Sequence, residues 1–174
     1  PWLRLRLVGA ATEPPASTEG DADERTLRGH GDRVGERAGQ WARAIGLPEN
    51  LVEDLVAAGC HHDDGKADPR MQAALGAAVD ESGFLLLEEP RRRERRRPLS
   101  KSRLPRRYWN RSMRMAGVPS GWRHEAFSAD LLRERLDRGE QTAPDPDLVM
   151  HLVLSHHGRF RGPGPVCLPE HGPA

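Results

Sequence analysis

The sequence contains little cysteine, few aromatic residues and almost no lysine. Its two cysteines, Cys60 and Cys167, are too few for a disulfide scaffold or a zinc ribbon, so we expect two reduced thiols. Aromatic residues make up 5% of the chain, which predicts a modest core. No apolar run is long enough to span a bilayer, and the start "PWLRLRLVGA" lacks the long apolar block of a signal peptide. We therefore expect a cytoplasmic protein with no membrane partner.

A chain of 174 residues is long enough for one main domain with a sizeable core. Residues 3–8 alternate leucine with arginine, the period of a half-buried strand. The stretch that follows, up to residue 24, is rich in proline, glycine, serine and acidic residues, which is typical of a linker. We interpret residues 1–24 as a strand and linker at the tail of a preceding domain, and residues 25–174 as the main domain.

From Leu27 onwards the hydrophobic period is helical. The first predicted helix carries one apolar stripe made of Leu27, His30, Val34, Ala38, Trp41 and Ile45. The second has apolar ribs made of Leu51, Val52, Leu55, Val56 and Gly59. A third helix is predicted to begin at the pair Asp68-Pro69 and the last at Asp145-Pro146, because Asp followed by Pro is a helix-start signal. A fourth helix is predicted from His124, where helical spacing returns. The expected fold class is therefore all-α, a helical bundle.

Residues 80–121 break this pattern with proline, glycine and arginine runs, and they predict a long, partly mobile insertion. Between Arg91 and Arg114 lie 12 basic residues and a single acid, although the net charge of the chain is only +1. Such a run is typical of a solvated, disordered stretch. The alternative is a guide for the phosphate backbone of single-stranded nucleic acid, with aromatic rings that stack on bases. The candidate nucleic-acid-binding residues are Arg91, Arg92, Arg93, Arg95, Arg96, Arg97, Arg106, Arg107 and Trp109.

Histidines lie on the inward faces of the predicted helices. His30 is on the apolar stripe of the first helix, and the residues at 62 and 63 continue the ribs of the second. Burying several imidazoles and a carboxylate in one bundle would leave polar groups unpaired, unless one shared partner satisfies them. Metal ions are such partners, since imidazole is a common ligand and a carboxylate can bridge two ions. The candidate ligands are His30, His62, Asp63, His124, His156 and His157.

The order of these motifs resembles the HD superfamily of metal-dependent phosphohydrolases. Three stretches carry a narrower resemblance: "HDDGKADPRMQ" at 62–72, "GVPSGWRHEAFSADLL" at 117–132 and "SHHGRF" at 155–160. They resemble the HD nuclease domain of the CRISPR-associated helicase-nuclease of type I systems. The resemblance covers about residues 25–160.

This resemblance implies a nuclease that cleaves single-stranded DNA with two metal ions, beside a helicase in cis or in trans. It also implies recruitment by a CRISPR RNA-guided surveillance complex. The six candidate ligands become the metal-binding residues, with Asp63 bridging both ions, and Lys66 near the site offsets charge on the phosphate. Nitrogen-rich ligation favours Mn, Fe, Co or Ni over Mg. The family's later ligand aspartate has no counterpart after Asp147, so the helix that carries it is expected beyond Ala174 or absent.

Two other functions stay open from the sequence. The superfamily signature alone permits a phosphohydrolase of small nucleotides. A metal-stabilised nucleic-acid-binding module, catalytically incomplete without the last aspartate, is the non-enzymatic alternative. His61 is predicted to lie outside the ligand set, and Asp64 either orients a ligand imidazole or is exposed.

Overall fold

The structure is a computed structural model that describes residues 25–158. The strand and linker predicted for residues 1–24, and Cys167, lie outside this part of the chain. The described residues are mostly helical, which confirms the expected class apart from one small sheet. None of their helices is both long and apolar enough to cross a membrane.

The described chain contains seven α-helices, one 3-10 helix and a two-stranded antiparallel sheet. The α-helices are α1 (Leu27–Ala44), α2 (Glu49–His61), α3 (Pro69–Leu75), α4 (Pro90–Arg95), α5 (Arg106–Met115), α6 (His124–Asp137) and α7 (Pro146–Ser155). The 3-10 helix, η1 (Asp64–Ala67), joins α2 to α3. Strand β1 (Ala78–Val79) pairs with β2 (Leu85–Leu86).

Capping residues fix the starts of the helices that lead to the histidines. The Thr26 hydroxyl accepts a hydrogen bond from the backbone of Gly29 at 3.0 Å and so caps α1. Asp68 caps α3 and Asp145 caps α7, each followed by proline at the first helical position, as predicted. The buried Asp54 carboxylate also accepts from the Asp145 backbone at 3.0 Å, which ties the start of α7 to α2.

Helices α1 and α2 pack through glycines rather than through the predicted apolar stripe. The buried face of α1 consists of Leu27, Gly31, Gly35, Gly39 and Ala42. A Cβ at Gly31 would lie 2.3 Å from the Cys60 carbonyl oxygen, so only glycine allows this approach of the two backbones. The predicted stripe was wrong at its end, because Trp41 and Ile45 are 66% and 75% exposed.

The main core lies between α2, α6 and α7. Its buried residues are Ala57, Ala58, Ala129, Leu132, Val149, Met150 and Val153. Burial of this apolar surface supplies the main stabilisation of the three-helix contact, since burial contributes about 25 cal/mol per Å². The core therefore sets the relative positions of the helix ends that carry His62, His124 and His156.

The insertion predicted at residues 80–121 is more regular than the sequence pattern suggested. It contains β2, α4 and α5, and α5 packs on α3. The expectation of a stretch without regular periodicity was wrong, because contacts outside the segment hold it. The clearest are an isolated β-bridge from Leu99 to Thr26 and two hydrogen bonds between the Arg96 guanidinium and Gln72.

Candidate metal centre

Asp63 lies at the centre of a cluster of imidazoles, with each carboxylate oxygen facing a different pair. Its Oδ2 atom is 3.6 Å from His30 Nε2 and 3.4 Å from His62 Nε2. Its Oδ1 atom is 3.1 Å from His124 Nε2 and 3.7 Å from His156 Nε2. The side chain of Asp63 is only 5% exposed, so this carboxylate is held between the two pairs with little water around it.

The cluster forms where helix ends meet. His62 follows the last residue of α2, Asp63 begins the turn into η1, His124 is the first residue of α6, and His156 follows the last residue of α7. His30 lies in the first turn of α1, where its backbone donates to the Thr26 carbonyl. Elements far apart in sequence thus bring the predicted ligands together.

Backbone hydrogen bonds fix which nitrogen two of the imidazoles present. His62 Nδ1 donates to the Gly59 carbonyl and His156 Nδ1 donates to the Val153 carbonyl, both at 2.7 Å. In each ring Nδ1 therefore carries a proton, and Nε2 is the nitrogen that faces Asp63. This is the usual arrangement of a metal-binding histidine, whose second nitrogen is held by an outer partner.

One buried nitrogen in the cluster lacks a hydrogen-bond partner within residues 25–158. His156 Nε2 is inaccessible to solvent and makes no hydrogen bond. A buried polar atom without a partner costs free energy, so such an atom in a native cluster indicates a missing ligand. A metal ion beside Asp63 would satisfy it, and the residues present therefore fit a metal.

His124 and His157 complete the second side of the cluster. His157 Nε2 lies 3.2 Å from His124 Nε2, although the His157 side chain is exposed and not inward as predicted. The other nitrogen of His124 lies 3.5 Å from the carboxylate of Glu125, which the Arg123 guanidinium holds at 2.7 Å. Glu125 was not among the predicted site residues, although its place next to His124 is the signal that could have found it.

The charges of the cluster favour the ligand forms of its side chains. Burial raises the pKa of Asp63, but hydrogen bonds from His124 and His62 and the charge of Lys66 outweigh burial and hold this pKa far below its usual range. Burial lowers the pKa of His30, His156 and His157, whereas the Asp63 carboxylate outweighs burial at His62 and raises its pKa. Near neutral pH the site therefore holds a carboxylate among mainly neutral imidazoles.

Lys66 lies inside the cluster. Its Nζ atom donates to Asp63 Oδ2 at 2.6 Å, and its side chain is 16% exposed. Lys66 is therefore not a solvated surface lysine. Because Oδ2 is also the oxygen nearest His30 and His62, the ammonium group and a metal ion on this side would share one ligand oxygen.

Asp64 and His61 belong to a separate polar cluster. Asp64 Oδ2 lies 2.8 Å from His61 Nδ1 and accepts a hydrogen bond from the Arg135 guanidinium. His61 Nε2 lies 3.3 Å from the Gln141 side-chain oxygen. Asp64 therefore holds His61 and not a ligand imidazole, and neither is fully exposed. His61 lies outside the ligand set, as predicted.

The candidate nucleic-acid-binding residues differ in their surroundings. Exposed side chains are found at Arg91, Arg92, Arg95, Arg97, Arg106 and Arg107, whereas those of Arg93 and Trp109 are half-buried. Arg96 is held internally by the Glu88 carboxylate at 2.6 Å and by Gln72. Its contacts identify it as a fastening point of the insertion. The sequence pattern could not show this, because the partners of Arg96 lie on other elements.

Two groups of side chains within residues 25–158 could each hold a metal ion. Their ligand atoms lie within 4.8 Å of one another in each group, and the groups are His30, His62, Asp63 and His124, His156, His157. Asp63 Oδ1 faces the second group, so the Asp63 carboxylate lies between the two groups. No protein-family model matches the chain, and searches of the curated proteins and of the solved structures find no match either.

Proposed function

We propose that this chain is a metal-dependent deoxyribonuclease, a phosphodiester hydrolase that cleaves single-stranded DNA. The observation that carries the proposal is the position of Asp63, whose two oxygens face two different pairs of imidazoles at 3.1 to 3.7 Å. One carboxylate between two nitrogen-rich sites suits a pair of divalent ions, and phosphodiester cleavage is a reaction for which such pairs are used.

Each side chain of the site has a role in this proposal. His30, His62 and Asp63 would hold one ion, and His124, His156 and His157 beside the same carboxylate would hold the other. Divalent transition-metal ions such as Mn, Fe, Co or Ni, rather than Mg, would supply the Lewis-acid charge that the reaction needs. Lys66 places a cation beside the phosphate, and the Glu125 carboxylate orients the His124 ring.

The biological setting rests on the wording of the three sequence motifs. We propose that the described helices are an HD-type bundle and that the chain acts beside a helicase in type I CRISPR interference. An RNA-guided surveillance complex is then the partner that delivers the DNA. The convergence of the motif residues on Asp63 supports an HD-type bundle, because the three motifs are far apart in sequence and meet at one site.

A cleavage assay on matched variants tests the proposal. Purified protein is incubated with labelled single-stranded DNA, duplex DNA, RNA and a panel of small nucleotides, each with Mn, Co, Ni, Fe or Mg. Asp63→Asn removes the shared carboxylate, and Asp64→Asn makes the same chemical change at the neighbouring residue, which contacts His61 and Arg135 instead. We expect single-stranded DNA to be cut with Mn, Co or Ni by the wild type and by Asp64→Asn, but not by Asp63→Asn.

Two results would replace the proposal with an alternative. Hydrolysis of small nucleotides without cleavage of any polymer would make the chain a nucleotide phosphohydrolase. Binding of DNA without hydrolysis in any metal would make it a catalytically incomplete binding module.

A further inference from the structure

The basic insertion is fastened to the Lys66 side of the metal centre. The buried side chain of Gln72 donates to the Lys66 carbonyl at 2.7 Å and to the Leu99 carbonyl at 2.9 Å. Its amide oxygen accepts from the Leu99 backbone at 2.8 Å. One glutamine therefore connects the turn that carries Lys66 with the segment that precedes Lys101.

The same segment is fastened to the start of α1, the helix that carries His30. The Leu27 backbone donates to the Pro98 carbonyl at 2.7 Å, and the buried Ser100 donates from its backbone to the Arg25 carbonyl at 2.9 Å. Lys101 follows directly and is exposed. Its charge is close enough to His30 to lower the pKa of that imidazole. The chain has only two lysines: Lys66 lies in the cluster, and Lys101 follows the segment that is fastened to the start of α1.

Helix α5 of the insertion carries three more exposed cations. Arg107, Arg111 and Arg114 are exposed and lie at helical spacing on one face of α5. The buried Ser112 lies on the opposite face, and α5 packs on α3. The arginines therefore project from a helix that is held against the element following Lys66.

These cations lack the carboxylate partners that arginines have elsewhere in the molecule. No acidic residue occurs between positions 95 and 124. Within residues 25–158, Lys101, Arg107, Arg111 and Arg114 have no acidic group at ion-pair distance. Other regions pair their arginines, as in Arg43 with Glu49, Arg70 with Asp68, and Arg138 with Glu134.

A row of unpaired cations that ends at a phosphodiester-cleaving site is suited to a chain of phosphates. Exposed arginines bind phosphate oxygens with good geometry, and the release of counterions drives the binding of a polyanion. A small nucleotide has phosphates on a single nucleotide only. A polymer, in contrast, has a phosphate for each nucleotide and can contact both the site and α5.

We propose that Lys101 and the exposed arginines of α5, here called the phosphate track, bind the backbone of the single strand that enters the metal centre from the His30 side. This proposal rests on the proposed nuclease function, of which it specifies the substrate path. Lys101 holds a phosphate close to the one that is cut, and Arg107, Arg111 and Arg114 hold phosphates farther along the strand.

Salt-dependent binding and two substrates test the track. The triple variant Arg107→Ala/Arg111→Ala/Arg114→Ala and the single variant Lys101→Ala are compared with Arg133→Ala, which removes an exposed arginine on α6. Binding of a labelled single-stranded oligonucleotide is measured over a series of salt concentrations. Hydrolysis is measured on the oligonucleotide and on bis(p-nitrophenyl) phosphate, which has a single phosphate and therefore no neighbouring phosphates for the arginines to bind.

We expect the triple variant to lower the slope of log affinity against log salt by about 2, since each phosphate contact on a single strand contributes about 0.7. Lys101→Ala lowers the slope by about 0.7 on the same basis. The triple variant raises KM for the oligonucleotide about tenfold. Its kcat for bis(p-nitrophenyl) phosphate shows no matching loss. Arg133→Ala matches the wild type.

Wild-type salt slopes in the triple variant and in Lys101→Ala would overturn the track. So would an equal loss of oligonucleotide and small-ester hydrolysis, which would mean that the variants act through the fold. If wild-type protein hydrolyses neither substrate in any metal, the nuclease proposal fails, and the binding slopes alone decide whether the track exists.

Discussion

Gly65 is where the turn that carries Asp63 and Lys66 touches helix α6 most closely, and replacing it should disable the metal centre. A Cβ at this position would lie 2.2 Å from the His124 carbonyl oxygen and 2.7 Å from the Ser128 backbone nitrogen. Both are backbone atoms, so no change of rotamer relieves the contact. The Gly65 N–H also donates to the Ser128 hydroxyl at 2.8 Å, which holds the two elements together.

The size of the effect follows from these distances. Gly65→Ala requires the two backbones to separate by roughly 1 Å, at an overpacking cost of about 1–3 kcal/mol. His124 Nε2 and Asp63 Oδ1, which are 3.1 Å apart, then move away from each other. Metal sites tolerate deviations of only about 0.2 Å in ligand distances. We therefore expect the affinity for the metal ion beside His124 to fall at least about tenfold, and cleavage of single-stranded DNA to fall by about 100-fold.

The assay combines metal titration by calorimetry with cleavage of single-stranded DNA and thermal unfolding. Gly39→Ala is the matched control, since its Cβ would lie 2.8 Å from a side-chain atom of Val56, away from the cluster. We expect Gly39→Ala to lower the melting temperature while leaving metal affinity unchanged. Wild-type metal affinity and cleavage in Gly65→Ala would refute the reasoning.

Three further variants or conditions have defined outcomes. Lys66→Met removes an ammonium group 2.6 Å from Asp63 Oδ2. Calorimetry should then show that the Mn ion beside His30 and His62 binds about tenfold more tightly, while DNA cleavage falls. Unchanged affinity would mean that Lys66 does not compete with the metal. Gln72→Leu leaves the Lys66 and Leu99 carbonyls without their hydrogen-bond partner. In denaturant titrations it should lower the free energy of unfolding by about 2–4 kcal/mol. A loss below about 0.5 kcal/mol would contradict the role of Gln72 in fastening the insertion. With a chelator present, the melting temperature should fall as pH drops from about 7.5 to about 5.5. The pKa of His30, His156 and His157 in the folded protein is below 6.5. In this pH range the folded protein therefore binds fewer protons than the unfolded chain, and acid favours unfolding. The raised pKa of His62 opposes this trend only in part, and Asp63 stays ionised throughout the window, so a melting temperature that rises towards acid would count against the assignment.

The ligand cluster could be predicted from the sequence because its residues follow helical spacing. Imidazoles that continue an apolar rib must point towards the core whatever the details of packing are, and five of the six predicted ligands lie at or below 20% side-chain exposure. His157 is the exception, since its side chain is exposed two residues beyond the end of α7.

The helix contact at α1 could not be read from hydrophobic periodicity. Gly31, Gly35 and Gly39 bury backbone instead of apolar side chains, so their face carries no hydrophobic signal. The apolar pattern that includes Trp41 and Ile45 predicted the wrong buried face, since both residues are exposed. Close approach of two backbones is a property of the pair of helices, and only one helix is seen at a time in a sequence.

The helices of the insertion could not be predicted from local sequence either. Its arginine runs are polar all round, which favours an irregular stretch, yet Pro90 and Pro105 stand where helices α4 and α5 begin. What holds these helices is the contact of Gln72 with Leu99 and Arg96, which joins residues that are 24 to 27 positions apart. Tertiary hydrogen bonds of this kind leave no local pattern.

An anomalous difference map of crystals soaked in Mn²⁺ tests the central claim most directly. We expect two peaks, one on either side of the Asp63 carboxylate: one next to His30 and His62, and the other next to His124, His156 and His157. A single peak, or peaks that do not contact Asp63, would contradict a two-metal site built on this residue.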